Sequence, residues 1–190
     1  MSSKPFMVLM VCTGNMFRSP AAQYLMNAAL GPDSGLEIIS AGVTPNRGGA
    51  VAPRMADLLA GEGIDVSDFE SRPVSEADVR DAGLVLGMTR EHRSHSVTLW
   101  PAAVRKTYTL KEFARLIDRV SPEELDRAAA STPADRLAAL TTLAGHKRMP
   151  ATPEEDDIPD PDTGPSGTTR QAFTEVKEAV ERIAARLLAP

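Results

Sequence analysis

A stretch of nine residues carries side chains that could together transfer a phosphoryl group. It reads Cys-Thr-Gly-Asn-Met-Phe-Arg-Ser-Pro from position 12 to position 20 and follows a short apolar run. Cys12 offers a thiol, and a thiolate is a strong nucleophile. The planar guanidinium of Arg18 matches two oxygens of a phosphoryl group. Ser19 could donate a hydrogen bond to the sulfur and help it leave in a second step.

A free cysteine at the end of a core strand is often only a small buried residue. That interpretation leaves the neighbours of Cys12 unexplained. If the five residue types Gly14, Asn15, Arg18, Ser19 and Pro20 were each drawn at roughly one in twenty, their coincidence would be about one in a million. We therefore interpret Cys12 and Arg18 as catalytic. The predicted substrate-binding residues are Thr13, Gly14, Asn15, Met16, Phe17 and Ser19.

The elements around this stretch predict an anion site. Residues 6–11 form a continuous apolar run typical of a buried strand, and helical spacing follows, with Ser19 as the N-cap and Pro20 as the first helical residue. A strand-to-helix turn points backbone N–H groups inward, and the positive end of the helix dipole lies behind them. This environment favours the thiolate form of a cysteine. Gly14 permits close approach to a ligand, and Asn15 tolerates a left-handed backbone.

The same alternation of strands and helices continues along the chain. It predicts further strands at 36–40, 84–88 and 104–110, and helices at 51–61, 89–96, 111–117 and 169–188. Such alternation is typical of parallel strands joined by right-handed crossovers. The predicted fold is α/β, a single domain with a doubly wound, four-stranded parallel sheet and helices on both faces in three layers.

Two later segments depart from this alternation. Residues of about 119–150 predict two short Ala-rich helices, because Ser121 and Thr132 each begin a capping box with proline at the first helical position. We interpret this part as a helical insertion in one domain that spans residues 1–190. The stretch 152–167 is acidic and rich in proline and glycine, which predicts a loop.

Composition excludes several classes of function. The net charge is −5 with no basic cluster, which argues against a nucleic-acid partner. The longest apolar run is too short to span a bilayer, and the amino terminus has no signal-peptide pattern, so we expect a cytoplasmic protein without a membrane partner. One cysteine and three histidines leave no disulfide and no zinc cluster. His92 and His95 could offer two ligands, but a solvated helix face is the favoured interpretation, and we predict no metal.

Residues 11–20 resemble the nucleophile loop of low-molecular-weight protein tyrosine phosphatases. The resemblance extends through Ser40-Ala-Gly42, Gly63-Ile-Asp65, Ser71-Arg72 and Met88-Thr-Arg-Glu-His92. It covers about residues 6–110 and the last 40 residues, while 119–150 lies outside the usual pattern. It implies a cysteine-dependent phosphomonoester hydrolase that forms a phosphocysteine intermediate. No cofactor is expected, since backbone amides and one arginine stabilise the phosphoryl group. Ser40 would support the loop.

The resemblance also implies a general acid. A thiol can cleave a phosphate ester only if the leaving oxygen is protonated. The family takes that proton from an Asp-Pro pair, which matches Asp160-Pro161 here. Crowding with Asp156, Asp157 and Asp162 would favour the protonated form of Asp160. Asp162 and Asp157 are the alternative acids.

Several departures from the family concern the substrate. Asp162 and Thr163 stand where the family has aromatic residues, and residues 43–49 include no aromatic residue, so phosphotyrosine should bind poorly. Phe17 replaces a second cysteine that protects the nucleophile. Phe69 replaces a histidine that hydrogen-bonds the loop asparagine, which could loosen Asn15 unless Ser40 suffices.

Other functions stay open at this point. Arsenate reductases on this fold need further cysteines, and protein arginine phosphatases carry a small threonine where Met16 stands. A weakly catalytic phosphate-binding or regulatory relative is one alternative. A phosphatase for a small metabolite, with residues 119–150 as a lid, is another. We expect a phosphorylated protein or a small phosphorylated metabolite as partner, a monomer or weak dimer, and Arg47, Arg54 and Arg72 around the cleft.

Overall fold

A computed structural model describes residues 5–161 and 168–189 of the chain. Its sheet consists of β1 (Phe6–Cys12), β2 (Leu36–Gly42), β3 (Leu84–Gly87) and β4 (Thr107–Thr109). The strands are all parallel and lie in the order β2-β1-β3-β4. The predicted four-stranded, doubly wound sheet is confirmed. Cys12 lies at the carboxyl end of β1, beside Gly42 of β2.

Helices cover both faces of the sheet. Alternate strand residues point to opposite faces, so Val8 and Met10 join one core and Leu9 and Val11 join the other. The first core is closed by α1 (Arg18–Leu30), α2 (Pro53–Gly61), α5 (Leu110–Ile117), α7 (Pro133–His146) and α9 (Thr168–Leu188). The second is closed by α3 (Glu76–Asp81), α4 (Arg90–Leu99) and a 3₁₀ helix at Pro101–Lys106.

Several predicted boundaries are wrong. Helix α1 begins at Arg18 and has no side-chain cap, so Ser19 lies inside it and is not its N-cap. The predicted fourth strand is only three residues long, because residues 101–106 tighten into the 3₁₀ helix. Helix α3 was not predicted, although Ser75 and Asp78 form a capping box at its start. The predicted loop 152–167 contains a helical turn, α8 (Pro153–Asp156).

The segment 119–150 forms α6 (Pro122–Arg127) and α7, each behind a capping box at Ser121 or Thr132. Helix α7 packs on α5 and α9, and the Tyr108 hydroxyl donates to the Thr141 carbonyl oxygen at 2.7 Å. Its first turn contacts the amino end of β2, where a Cβ on Gly35 would lie 3.3 Å from Ala134 Cβ. This segment therefore lies at the opposite end of the sheet from Cys12 and does not form the lid considered above.

No helix within the described ranges is long and apolar enough to cross a membrane. The same ranges contain no group of three or more His, Cys, Asp or Glu side chains arranged to hold a metal ion.

Candidate active site

The nucleophile loop, residues 12–19, surrounds a buried thiol. Cys12 is 2% exposed, and its Sγ accepts a hydrogen bond from the Asn15 backbone N–H at 3.2 Å. Ser19 Oγ lies 2.9 Å from the same sulfur and accepts from Asn15 Nδ2 at 3.0 Å. The Ser19 hydroxyl has one proton to donate, and the sulfur at 2.9 Å is a nearer acceptor than the Ala41 carbonyl oxygen at 3.5 Å. Both contacts stabilise negative charge on Cys12.

Asn15 fixes the shape of this loop. It is fully buried and has a left-handed backbone, with φ of 52°. Besides Ser19, its Nδ2 donates to Ser40 Oγ at 2.9 Å, and its Oδ1 accepts from the Arg72 backbone N–H at 2.9 Å. These contacts hold Asn15 without the histidine of the family, whose position Phe69 occupies in the core.

The β2–α2 loop, residues 43–52, binds the outer side of the nucleophile loop. Backbone N–H groups of Val43, Thr44 and Ala52 donate to the carbonyl oxygens of residues 12, 13 and 16, each at 2.9 Å. With these carbonyls satisfied outside, the N–H groups of the nucleophile loop can face a ligand. The approach requires Gly42, because a Cβ there would lie 2.7 Å from the Thr13 carbonyl oxygen.

Arg18 connects the nucleophile loop to the predicted acid. The side chain is buried, and its Nη2 lies 2.6 Å from Asp160 Oδ2. Nη2 also donates to Thr13 Oγ1 at 3.4 Å, and Nη1 donates to the Ile158 carbonyl oxygen at 3.1 Å. Within residues 5–161 and 168–189, Arg18 Nε is buried and has no hydrogen-bond partner. A bound phosphoryl oxygen could accept from this N–H.

These residues line one pocket of about 350 Å³. Its lining consists of Cys12, Thr13, Gly14, Met16, Phe17, Arg18, Thr44, Asn46 and Asp160. The structure therefore brings together the three predicted catalytic residues, whereas Asn15, Ser19 and Ser40 lie behind the lining. Thr44 and Asn46 were missed, since the loop that contains them was interpreted only from its lack of aromatic residues and from Arg47.

His92 was also missed. The solvated-face interpretation of this histidine is wrong, because it is 6% exposed. Its Nε2 lies 3.0 Å from Thr13 Oγ1 and its Nδ1 lies 3.0 Å from Thr89 Oγ1. Burial, followed by the positive charge of Arg18, lowers the pKa of His92 to about 4. A neutral imidazole thus supports the first turn of the nucleophile loop. The Met88–His92 resemblance contained the signal.

Two carboxylates of the acid loop, residues 153–161, are bound by arginines. Asp156 Oδ1 accepts from Arg115 at 2.9 Å, and Asp157 Oδ1 accepts from the Arg90 backbone N–H at 2.7 Å. Asp156 and Asp157 are thus each bound by a different arginine, on α5 and α4 respectively. Asp157 also does not line the pocket. The other two residues considered in this region, Asp162 and Thr163, lie outside the described residues.

Among the described residues, none of the three arginines expected around the cleft lines the pocket. Arg72 Nη1 donates to both carboxylate oxygens of Asp78, at 3.1 and 3.0 Å. Arg47 and Arg54 are exposed.

Comparisons with known proteins agree with this geometry. The sequence model of the low molecular weight phosphotyrosine protein phosphatase family matches residues 7–129. A protein-arginine-phosphatase of Geobacillus stearothermophilus is 35% identical over 143 residues, which are 70% of this chain and 95% of that protein. The probable low molecular weight protein-tyrosine-phosphatase EpsP of Ralstonia solanacearum is 31% identical over 106 residues, 56% of this chain and 71% of that protein.

Solved structures give the same result. YwlE arginine phosphatase from Geobacillus stearothermophilus aligns with a TM-score of 0.68 at 27% identity, covering 96% of this chain and 93% of that one. A low molecular weight protein tyrosine phosphatase from T. tengcongensis aligns with a TM-score of 0.64 at 28% identity, covering 93% and 95%.

Proposed function

The chain belongs to the low molecular weight phosphotyrosine protein phosphatase family, and on this basis we propose that Cys12, Arg18 and Asp160 perform its reaction on phosphorylated proteins. The enzyme is a cysteine-dependent phosphatase, hence a hydrolase. One arrangement supports the residue assignment most strongly. A single pocket contains the thiol, the guanidinium and the carboxylate, and the latter two are 2.6 Å apart.

In the first step, the Cys12 thiolate forms a bond to phosphorus while the bond from phosphorus to the leaving oxygen breaks. The carboxylic acid of Asp160 donates its proton to that oxygen, so that an alcohol or phenol leaves. Backbone N–H groups of the nucleophile loop and the Arg18 guanidinium bind the other phosphoryl oxygens. The buried Arg18 Nε is one such donor.

In the second step, water attacks phosphorus and gives its proton to the Asp160 carboxylate. The sulfur–phosphorus bond breaks, and its electron pair returns to Cys12 as a thiolate. Ser19 Oγ, 2.9 Å from the sulfur, stabilises the departing thiolate. Inorganic phosphate leaves and the starting enzyme is regenerated.

The lack of aromatic residues at 43–49 predicted poor binding of phosphotyrosine, but the apolar part of the pocket lining favours phosphotyrosine over phosphoarginine as the substrate side chain. Met16 and Phe17 provide apolar surface, which packs against a phenyl ring more favourably than against a charged guanidinium. Phosphoarginine is the second candidate, because the 35% identical relative is a protein-arginine-phosphatase. The two candidate substrates place the same phosphoryl group in the site and differ in the side chain that carries it, a phenyl ring or a guanidinium.

Hydrolysis of para-nitrophenyl phosphate against pH tests the nucleophile and the acid. This substrate has a good leaving group and makes small demands on the pocket. We expect turnover by the wild type, none by Cys12→Ser, and a partial loss in Asp160→Asn. A wild type that binds vanadate or phosphate without turnover would instead identify a phosphate-binding relative.

One peptide prepared in phosphotyrosyl and phosphoarginyl forms tests the substrate. We expect a higher kcat/KM on phosphotyrosine, and Met16→Thr should shift the ratio towards phosphoarginine by roughly tenfold. Met149→Thr is the matched control, since Met149 is exposed and does not line the pocket. A ratio that favours phosphoarginine in the wild type would reverse the assignment.

A further inference from the structure

Lys111 of helix α5 binds the backbone of the turn that precedes Asp160. Lys111 Nζ donates to the carbonyl oxygens of Glu154 at 2.7 Å and Asp157 at 3.3 Å. These carbonyls belong to the second residue of α8 and to the residue after the helix, and the last four carbonyls of a helix lack partners within it. Nζ also contacts Glu175 Oε2 of α9 at 2.9 Å. One ammonium group therefore ties three elements together.

Arg115, one turn later on α5, binds the same turn through a carboxylate. Arg115 lies four residues after Lys111, so both side chains leave the same face of α5. Its Nη2 donates to Asp156 Oδ1 at 2.9 Å, and Asp156 is only 4% exposed. A buried carboxylate is stable only when it is paired, so Arg115 fixes the last residue of α8.

The backbone between these contacts and Asp160 is conformationally restricted. The Ile158 backbone N–H donates to the Met88 carbonyl oxygen at 2.9 Å, and the residue is 1% exposed. Asp160 follows two residues later, between Pro159 and Pro161, and the proline rings restrict the backbone on either side. Only residues 157–159 separate α8 from Asp160, so a shift of α8 moves the Asp160 carboxylate unless the hydrogen bond from Ile158 to Met88 holds it in place.

We propose that Lys111 and Arg115 are positioning residues that set the place of Asp160 relative to the leaving oxygen. The inference rests on the proposed role of Asp160 as the acid. Neither cation lines the pocket, so both act through the acid loop. A general acid works only within hydrogen-bond distance of its target, and a misplacement of about 1 Å lowers the rate strongly.

Leaving-group dependence separates this role from a merely structural one. Phenyl phosphate releases a basic oxygen that needs the acid, whereas para-nitrophenyl phosphate releases an acidic phenol that needs it less. We expect Lys111→Met to lower kcat/KM about tenfold on phenyl phosphate and less than about threefold on para-nitrophenyl phosphate. Lys111→Arg keeps a cation at this position and should retain most of the wild-type kcat/KM on phenyl phosphate.

Lys177→Met is the matched control. Lys177 Nζ lies 2.7 Å from Glu62 Oε2, and its side chain is 32% exposed against 21% for Lys111. In the described structure it contacts no residue of the acid loop. It should leave the ratio of the two substrates unchanged. Thermal midpoints of all variants identify any that are globally unstable.

Arg115 provides the second test. Arg115→Met leaves the buried Asp156 unpaired and lowers stability, so it is combined with Asp156→Asn to remove that charge. The double variant should show the same selective loss on phenyl phosphate. Equal losses on both substrates, or no loss, in the Lys111 and Arg115 variants would overturn the inference if Asp160→Asn itself is selective. An Asp160→Asn variant without selectivity would overturn the proposed acid, and the inference with it.

Discussion

The two catalytic loops are held by different kinds of contact. The nucleophile loop is held by backbone hydrogen bonds from the β2–α2 loop and by the side chain of Asn15. None of these contacts involves a formal charge, and most are buried. The loop follows directly from the end of β1, and its neighbours are the ends of adjacent strands.

The acid loop is held largely by long charged side chains. Arg115 and Lys111 on α5 reach it across 41 and 43 residues of sequence, and the Arg90 side chain on α4 pairs with Asp157 at 3.6 Å. Several of these groups are partly exposed, with side-chain exposures of 21% for Lys111 and 36% for Arg90. The nucleophile loop is thus held by buried hydrogen bonds, whereas the acid loop is held by ion pairs that solvent and salt can weaken.

Asn15→Gly should break the nucleophile loop most severely. Glycine keeps the left-handed backbone without strain, so the change removes only the side-chain hydrogen bonds. We expect kcat/KM to fall about a hundredfold and the free energy of unfolding to fall by about 3 kcal/mol, near 1 kcal/mol for each of three bonds. Kinetics on both aryl phosphates and urea unfolding measure these effects. A loss confined to phenyl phosphate would contradict a role in the nucleophile loop.

His92 lies between the two loops and should make stability depend on pH. The pKa of His92 is lowered to about 4 from its ordinary 6.5. The neutral form is therefore favoured by folding, and this contribution is complete above about pH 6.5 and is lost as pH falls towards 4. It amounts to about 3 kcal/mol at most. The charged groups that act on it are Arg18 and His95, which lower its pKa, and Asp160, which raises it.

Urea unfolding at pH 7 and near pH 4.5 measures this difference. His92→Gln should remove the component that wild type loses on acidification, whereas His146→Gln, at an exposed position, should not. Identical pH dependence in wild type and His92→Gln would show that the imidazole does not titrate as described.

The contrast also explains what could be predicted from the sequence. The sequence predicted Cys12 and Arg18, together with the strand and helix on either side of them, because the motif is contiguous and follows an apolar strand. Ser19 was predicted both as the N-cap and as a donor to the Cys12 sulfur; the cap is wrong, whereas the hydroxyl does lie 2.9 Å from that sulfur. Asp160 was found only through a family resemblance, since nothing local distinguishes it from the other carboxylates of its loop.

The supports of the acid loop could not be predicted in the same way. Thr152 begins a proline-containing capping box like that of Ser121, so α8 did have a signal, which its acidic and proline-rich surroundings obscured. The pairing of Arg115 with Asp156 had none. A chain with 21 basic and 26 acidic residues allows many long-range pairs, and only the packing of α5 beside α8 selects this one.

Asp157→Ala should loosen the acid loop on its other side. It removes the cap on the Arg90 backbone N–H at the start of α4 and an ion pair with Arg90 Nε at 3.6 Å. We expect a loss of about 1 kcal/mol in stability and about threefold in kcat/KM on phenyl phosphate, with less change on para-nitrophenyl phosphate. Asp126→Ala, an exposed position on α6, is the control. Equal loss on both substrates would place the effect in the nucleophile loop.

Salt should have the smallest effect and should act on one loop only. Raising ionic strength from about 0.05 to about 0.5 M screens the partly exposed pairs of Lys111 and Arg90. It also weakens the attraction of any phosphate ester to Arg18, but that loss is common to both substrates and cancels in their ratio. We expect the ratio of kcat/KM on phenyl phosphate to that on para-nitrophenyl phosphate to fall roughly twofold, and to fall less in Lys111→Met, where one screened contact is already absent. A ratio independent of salt in wild type would mean that backbone contacts such as Ile158 to Met88 suffice to hold the acid, and the two loops would then be held alike.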